Sequence, residues 1–343
     1  MSETPPPLGT SDALLVLGAQ NWNPGDRWLG RAGIASLQFL TSDGPARAPA
    51  LDGLGPNGLR DLLVLDDRRV LLTTGYELVE LDISSGALTS WSLGEDVSDL
   101  HEMGLEGDRL LLANTAFNEG LVVSLNDRSV VRHGLSEFRH ARSKAINHAR
   151  PLGGAIPFGP KAVRDDHFHF NQLAADRTGS LLAVVHHVHG FRPVSHVAKR
   201  LVGHGDGGVI DLGRRAAHDL GLRAPHSLRM VDGNAVILDS GRSEIVAFDD
   251  HWRETARWPT PGWGRGLAVH DGHWFVGVSA TRRRYLEEGQ DPGDNLVVCL
   301  DQMTGQELGR WIVEDVEQVW SVRVIDRAVA EALAALPAVF SAG

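Results

Sequence analysis

A phrase of strand, tight turn and strand that returns along the chain constrains this sequence more than any other feature. Its clearest copy spans residues 224–239. There Pro225-His226-Ser227-Leu228-Arg229-Met230-Val231 reads as one strand, Asp232-Gly233-Asn234 as the turn and Ala235-Val236-Ile237-Leu238-Asp239 as the second strand. Asp, Gly and Asn tolerate the left-handed backbone that a tight turn requires, so this pattern marks a hairpin. The phrase recurs in register from Arg60, from His101, from Asn171 with one extra turn residue, and from Arg265. Its first strand alone returns at Trp320-Ser321-Val322-Arg323-Val324-Ile325. A third apolar strand follows at 78–82, 121–125, 208–212, 245–249 and 296–301, and a fourth brings Trp91, His133, Trp258 or Trp311 near its end. Four antiparallel strands per unit, repeated along the chain, predict an all-β propeller.

The truncated last copy predicts how the ring closes. Its missing strands are present at the N-terminus, as 13–18 and 33–40, so a blade shared by the two termini leaves no open edge. The expectation is a six-bladed β-propeller in one domain over residues 1–343, with a disordered start at 1–10. Two segments interrupt the repeat, 134–166 and 186–207, and loops this long in a compact repeat are expected to be lids or binding loops. The alanine- and leucine-rich tail at 327–343 has helical spacing over 327–338.

Charge and cysteine usage narrow the function classes. The formal net charge is −11, which argues against nucleic acid or an anionic membrane surface as a partner. The basic run Arg282-Arg283-Arg284 is neighboured by Glu287, Glu288, Asp291 and Asp294 and reads as a solvated loop. Cys299, the one cysteine, lies in an apolar run and reads as a small buried hydrophobe. There is no basic segment ahead of an apolar stretch at the N-terminus and no run long enough to span a bilayer, so the expected location is the cytoplasm. Phosphate-binding glycine loops, nucleophile elbows and His-Glu-x-x-His are all missing from the sequence.

The residues that open each repeat are the candidate chemistry. In circular order they are Trp320, Arg60, His101, Asn171, His226 and Arg265, predicted to ring one mouth of the central channel. Six such groups are not what a purely structural channel needs, because each buried polar group requires a partner. His101, Asn171 and His226 offer two imidazoles and an amide oxygen as ligands for a divalent metal. Arg60 and Arg265 suit a carboxylate, phosphate or sulfate, with Trp320 lining the pocket. In His167-Phe168-His169-Phe170-Asn171 a period of two would turn His167, His169 and Asn171 to one face, which makes His169 a candidate general base or further ligand. Asp99 is the candidate to orient His101, whereas alternation turns Glu102 to the opposite face. His187 and His189 form a weaker metal pattern at a strand exit. Catalysis without metal and a structural hydrogen-bond network are the competing readings of the same residues.

The repeats, opened by polar residues and followed by Asp-Gly turns, resemble six-bladed propellers of the gluconolactonase and strictosidine-synthase-like group, and a set of uncharacterised bacterial propeller-like proteins. Gluconolactonase-type enzymes hold a metal at the channel mouth with glutamate, asparagine and aspartate. Of these only Asn171 has a counterpart here, and His101 and His226 replace oxygen ligands. Nitrogen ligands point away from calcium and lactone hydrolysis, toward zinc, iron, copper or manganese. The expected function is metal-dependent lyase, hydrolase or isomerase chemistry on a small anionic, carboxylate-bearing metabolite. The alternative is a non-catalytic propeller that binds a peptide or protein on the same face.

Overall fold

The computed structural model describes residues 8–19, 35–48, 59–138, 166–191, 197, 199, 201–280, 293–316 and 318–336. Among them the chain forms six four-stranded antiparallel sheets, the blades of a six-bladed β-propeller. It opens with β1 (Asp12–Ala19), β2 (Ala35–Thr41) and β3 (Gly44–Arg47). The next sheet holds β4 (Leu59–Val64), β5 (Arg69–Thr74), β6 (Leu78–Asp82) and β7 (Leu88–Trp91). It is followed by β8 (Gly104–Glu106), β9 (Arg109–Asn114), β10 (Glu119–Ser124) and β11 (Val130–Gly134). Then come β12 (Phe170–Ala175), β13 (Leu181–Val185), β14 (Gly207–Asp211) and β15 (Ala216–Leu222). A further sheet is β16 (Pro225–Val231), β17 (Asn234–Asp239), β18 (Glu244–Phe248) and β19 (Glu254–Pro259). The last full sheet is β20 (Trp263–His270), β21 (His273–Ser279), β22 (Leu296–Asp301) and β23 (Glu307–Ile312). Finally β24 (Gln318–Asp326) returns to pair with β1.

That last pairing is the shared blade expected from the truncated repeat. Leu14 faces Val324 and Val16 faces Val322 across β1 and β24, and residues 13–17 are fully buried on both faces. Each buried leucine there contributes roughly 1.5–3 kcal/mol, so the two termini are joined by hydrophobic burial as well as by the ladder. Helix α1 (Arg327–Ala335) follows directly. Asp326 caps it by accepting from the Ala328 amide at 2.7 Å, and Val329, Ala330 and Leu333 are buried against the adjoining strands.

The chain divides into two compact units. The first comprises Met1–Trp91, Ser243–Ile245 and Arg257–Gly343, and the second Ser92–Arg242 and Val246–Ala256. Aliphatic clusters around Leu15, Leu62 and Leu333, and around Val16, Phe275 and Cys299, form the core of the first. The second is built around Phe168, Phe170 and Val185, and around Val184, Leu228 and Phe248.

Turn chemistry repeats with the strands. Asp82 and Asp301 end β6 and β22, and their carboxylates accept the amides of Ser85 (3.0 Å) and Thr304 (2.7 Å) while Gly86 and Gly305 take positive φ. Hydrogen bonds from Ser84 and from Thr304 respectively hold both carboxyls below the usual aspartate range. Of the start expected to be disordered at 1–10, residues 8–10 are described, and Leu8 is buried in the core of the first unit. The 186–207 interruption does join β13 to β14, but its first residues continue the ladder: His186 and His187 donate to the carbonyls of His169 (3.2 Å) and Phe168 (3.1 Å). Residues 139–165, with most of the other insertion, lie outside the described residues, as do Arg282 to Asp291. Among the described residues no helix is long and apolar enough to cross a membrane.

Candidate functional site

In the second unit, His101 and His226 are set up in the same way. Each follows by two a residue with left-handed backbone, Asp99 (φ 55°) and Ala224 (φ 52°), which turns that residue's carbonyl back onto the imidazole. The Nδ1 of His101 lies 2.9 Å from the Asp99 carbonyl and 2.9 Å from the Thr115 hydroxyl. The Nδ1 of His226 lies 2.8 Å from the Ala224 carbonyl and 2.9 Å from the Ser240 hydroxyl. A carbonyl can only accept, so Nδ1 carries the proton in both rings and Nε2 keeps its lone pair. Thr115 also donates to the Phe170 carbonyl, so its oxygen is left to accept from His101. Asp99 thus orients His101 as the sequence suggested, but chiefly through its backbone carbonyl; its carboxylate stands at 3.8 Å.

Asn171 is 2% exposed, and its side-chain nitrogen donates to the Pro225 carbonyl at 2.6 Å. That partner settles which way the amide points, because Pro225 offers only an acceptor. Its Oδ1 is consequently a buried acceptor without a hydrogen bond. A group in that state is costly unless a ligand completes it.

His169 reaches the same neighbourhood by a different route from the expected alternation. Residues 166–169 form a turn, with Asn118 Oδ1 accepting the amides of His167 (3.0 Å) and Phe168 (3.1 Å), and β12 starts only at Phe170. Asp166 accepts the His169 amide at 2.8 Å through one carboxylate oxygen and faces its Nδ1 at 2.9 Å through the other. His169, at φ 47°, is the left-handed residue through which the turn enters the strand.

A fourth imidazole, His186, joins these. Ring centroids are 5.8 Å apart for His101 and His169, 4.3 Å for His169 and His186, and 5.4 Å for His186 and His226. Two imidazoles therefore stand in a row between the expected pair. His187 turns the other way, its Nδ1 3.0 and 3.1 Å from the two oxygens of Asp206. The cluster His186-His187-Val188-His189 was the sequence signal, and alternation there pointed to His187 and His189 and not to His186. Among the described residues no group of three His, Cys, Asp or Glu side chains surrounds a point that could hold a metal ion. The available donors are imidazole Nε2 atoms and the Asn171 amide oxygen, a set that suits a divalent transition metal better than calcium.

In the first unit, Arg60 on β4, Arg265 on β20 and Trp320 on β24 come together. Each guanidinium carbon lies 4.2 Å from a Trp320 ring centroid, so both arginines stack on one indole. Cation–π stacking engages the flat face of a guanidinium, whereas its planar fork is the edge that recognises a carboxylate or phosphate.

The residues one step further along the first strands carry structure instead. Asp61, fully buried, pairs with Arg323 at 2.5 Å in the first unit. In the second, Glu102 pairs with Arg229 at 2.5 Å and accepts from Ser227 at 2.8 Å. Gln172 completes this lacing by accepting the Leu228 amide at 2.6 Å.

A family model described as a domain of unknown function matches residues 157–333. No curated protein matches the chain. Among solved structures, a chain from a nidogen/laminin complex shares 9% identity over 91% of this chain and 98% of its own, with a TM-score of 0.56. A protein of unknown function from Bacteroides caccae shares 11% identity over 92% of this chain and 99% of its own, with a TM-score of 0.55. A streptogramin B lyase shares 8% identity over 95% of this chain and 91% of its own, with a TM-score of 0.48. At these identities the likeness is one of fold, and a fold hosts many functions.

Proposed function

The chain belongs to the DUF4915 family, whose description carries no activity, and from its own residues we propose a metal-dependent enzyme acting on a small anionic, carboxylate-bearing metabolite by lyase, hydrolase or isomerase chemistry. The observation that carries this reading is the buried Asn171 Oδ1, left without a hydrogen bond on a side chain whose nitrogen is tied to Pro225, the residue before His226, whose own Nδ1 proton is already engaged. His101 and His226, through Nε2, and Asn171, through Oδ1, are the residues that would hold the ion, with zinc, iron, copper or manganese the suited class. When bound, the ion supplies Lewis acidity toward a substrate oxygen.

His169 is the proton carrier. Asp166 keeps its Nδ1 protonated, so its Nε2 is the atom that takes or returns a proton, and the carboxylate stabilises the imidazolium that forms. Arg60 and Arg265, stacked on Trp320, are the anion-holding groups.

Elemental analysis of the purified protein tests the reading. A near-stoichiometric transition metal is expected, with most of it lost in His101→Ala and in His226→Ala. Metal content unchanged by both substitutions would sink the assignment.

A second reading is favoured by one observation, the arrangement of imidazoles in a row with no ready metal trio among the described residues. It is proton transfer by His169 and its neighbours without an ion. A protein that is metal-free as purified, and whose melting temperature ignores both chelator and added zinc, supports this reading over the first.

A further inference from the structure

The second unit carries another concavity, at the far end of the same strands. β12 runs from Asn171, near the imidazoles, to the turn at Asp176, five residues on, a distance of about 17 Å at strand spacing. There the turns of two neighbouring sheets border a groove of about 480 Å³, within the range of small-molecule sites. We propose that this groove is a second ligand site, for a neutral, hydroxyl-rich ring of the monosaccharide class.

The floor is small and apolar. Ala216, Gly233, Ala235 and Leu182 are among its lining residues. One wall is an aromatic surface: Trp252 stacks on His218 with centroids 5.3 Å apart and planes at 30°. Trp252 holds φ 60° in the turn after β18, where glycine or asparagine would sit without strain. A bulky aromatic kept in that conformation is an outlier that turn formation does not call for. It does pack against the edge of the core, so its test needs a companion variant.

The polar groups at the rim determine the class of ligand. Arg177 faces Asp250 at 3.8 Å, longer than a hydrogen bond, while Arg214, which bonds Asp211 at 3.0 Å, stands 3.9 Å from the Asp176 oxygen that Thr178 and Ser180 do not use. Opposite charges set side by side disfavour a net anion as much as a net cation. A hydroxyl suits them, because it accepts from the guanidinium while donating to the carboxylate. A pyranose offers such hydroxyls around its edge and an apolar C–H face for the indole. His218 adds a neutral imidazole whose buried Nε2 makes no hydrogen bond.

Saturation-transfer NMR on the full chain, with glucose, galactose, mannose and N-acetylglucosamine as probes, tests the proposal. Transfer to the ring protons of at least one sugar is expected, with binding weakened roughly tenfold or more in Trp252→Ala, as for loss of an aromatic anchor. Arg177 is exposed, so Arg177→Ala keeps the fold and should weaken the same sugar. Absence of transfer from all four sugars overturns the proposal. So does transfer that survives both substitutions, or displacement of the sugar by inorganic phosphate at equal concentration.

Discussion

The ion pair between Glu102 and Arg229 ties the segment that leads into β8 to strand β16 in the second unit, through residues 127 positions apart in sequence. Replacing Arg229 with methionine keeps most of the side-chain volume and leaves the Glu102 carboxylate with Ser227 as its remaining hydrogen-bonding partner of the two. Breaking a buried pair by removing one member costs about 3–5 kcal/mol, because the other charge stays desolvated. Glu102 and Arg229 are 12% and 22% exposed, so partial hydration places the cost near the lower end, about 3 kcal/mol. At roughly 2.1 cal/mol/K per residue, cooperative unfolding of all 343 residues carries about 0.7 kcal/mol/K, which converts that cost to a fall in Tm of about 4 °C. The double variant Glu102→Leu with Arg229→Met removes both charges and should recover most of the loss, short of about 1 kcal/mol for the Ser227 hydroxyl. Urea and thermal unfolding monitored by circular dichroism give both numbers. A single-variant cost below about 1 kcal/mol, or a double variant that is simply additive, would refute the claim that a desolvated charge pair holds these segments together.

Two further outcomes follow from titratable groups. Burial, reinforced by Arg214 and opposed by Asp211, holds the His218 pKa below its ordinary value of 6.5. The unfolded chain then binds the proton more readily than the folded one, so stability falls as pH drops below about 6.5 and goes on falling until the folded pKa is passed. His218→Phe should flatten that part of the stability curve between pH 7 and 5, and an identical slope in wild type and variant contradicts the account. The Cys299 thiol is pushed up to about 12, first by burial and then by the Asp301 charge. Native protein should resist a thiol reagent at neutral pH and react fully in urea, whereas equal rates in both would mean the side chain is not enclosed as described.

Period-two runs and Asp-Gly turns specified the blades, because both signals are local: alternation sets which face is buried, and turn residues set where the chain reverses. The closure by β24 and β1 was legible for the same reason, since a repeat cut short at one end and completed at the other has one economical arrangement. The register of repeat openings also nominated His101, Asn171, His226, Arg60, Arg265 and Trp320. The tertiary structure decided how those residues are held. Two Nδ1 atoms are locked by carbonyls of left-handed residues at Asp99 and Ala224, a conformation that strand periodicity does not encode. His169 is aimed by the Asp166 turn rather than by alternation, and His186 enters the row because the ladder continues past the end of β13. The Asp61–Arg323 and Glu102–Arg229 pairs join residues 262 and 127 positions apart. Pairings at that separation depend on how whole sheets pack, so they became visible only once the chain was folded.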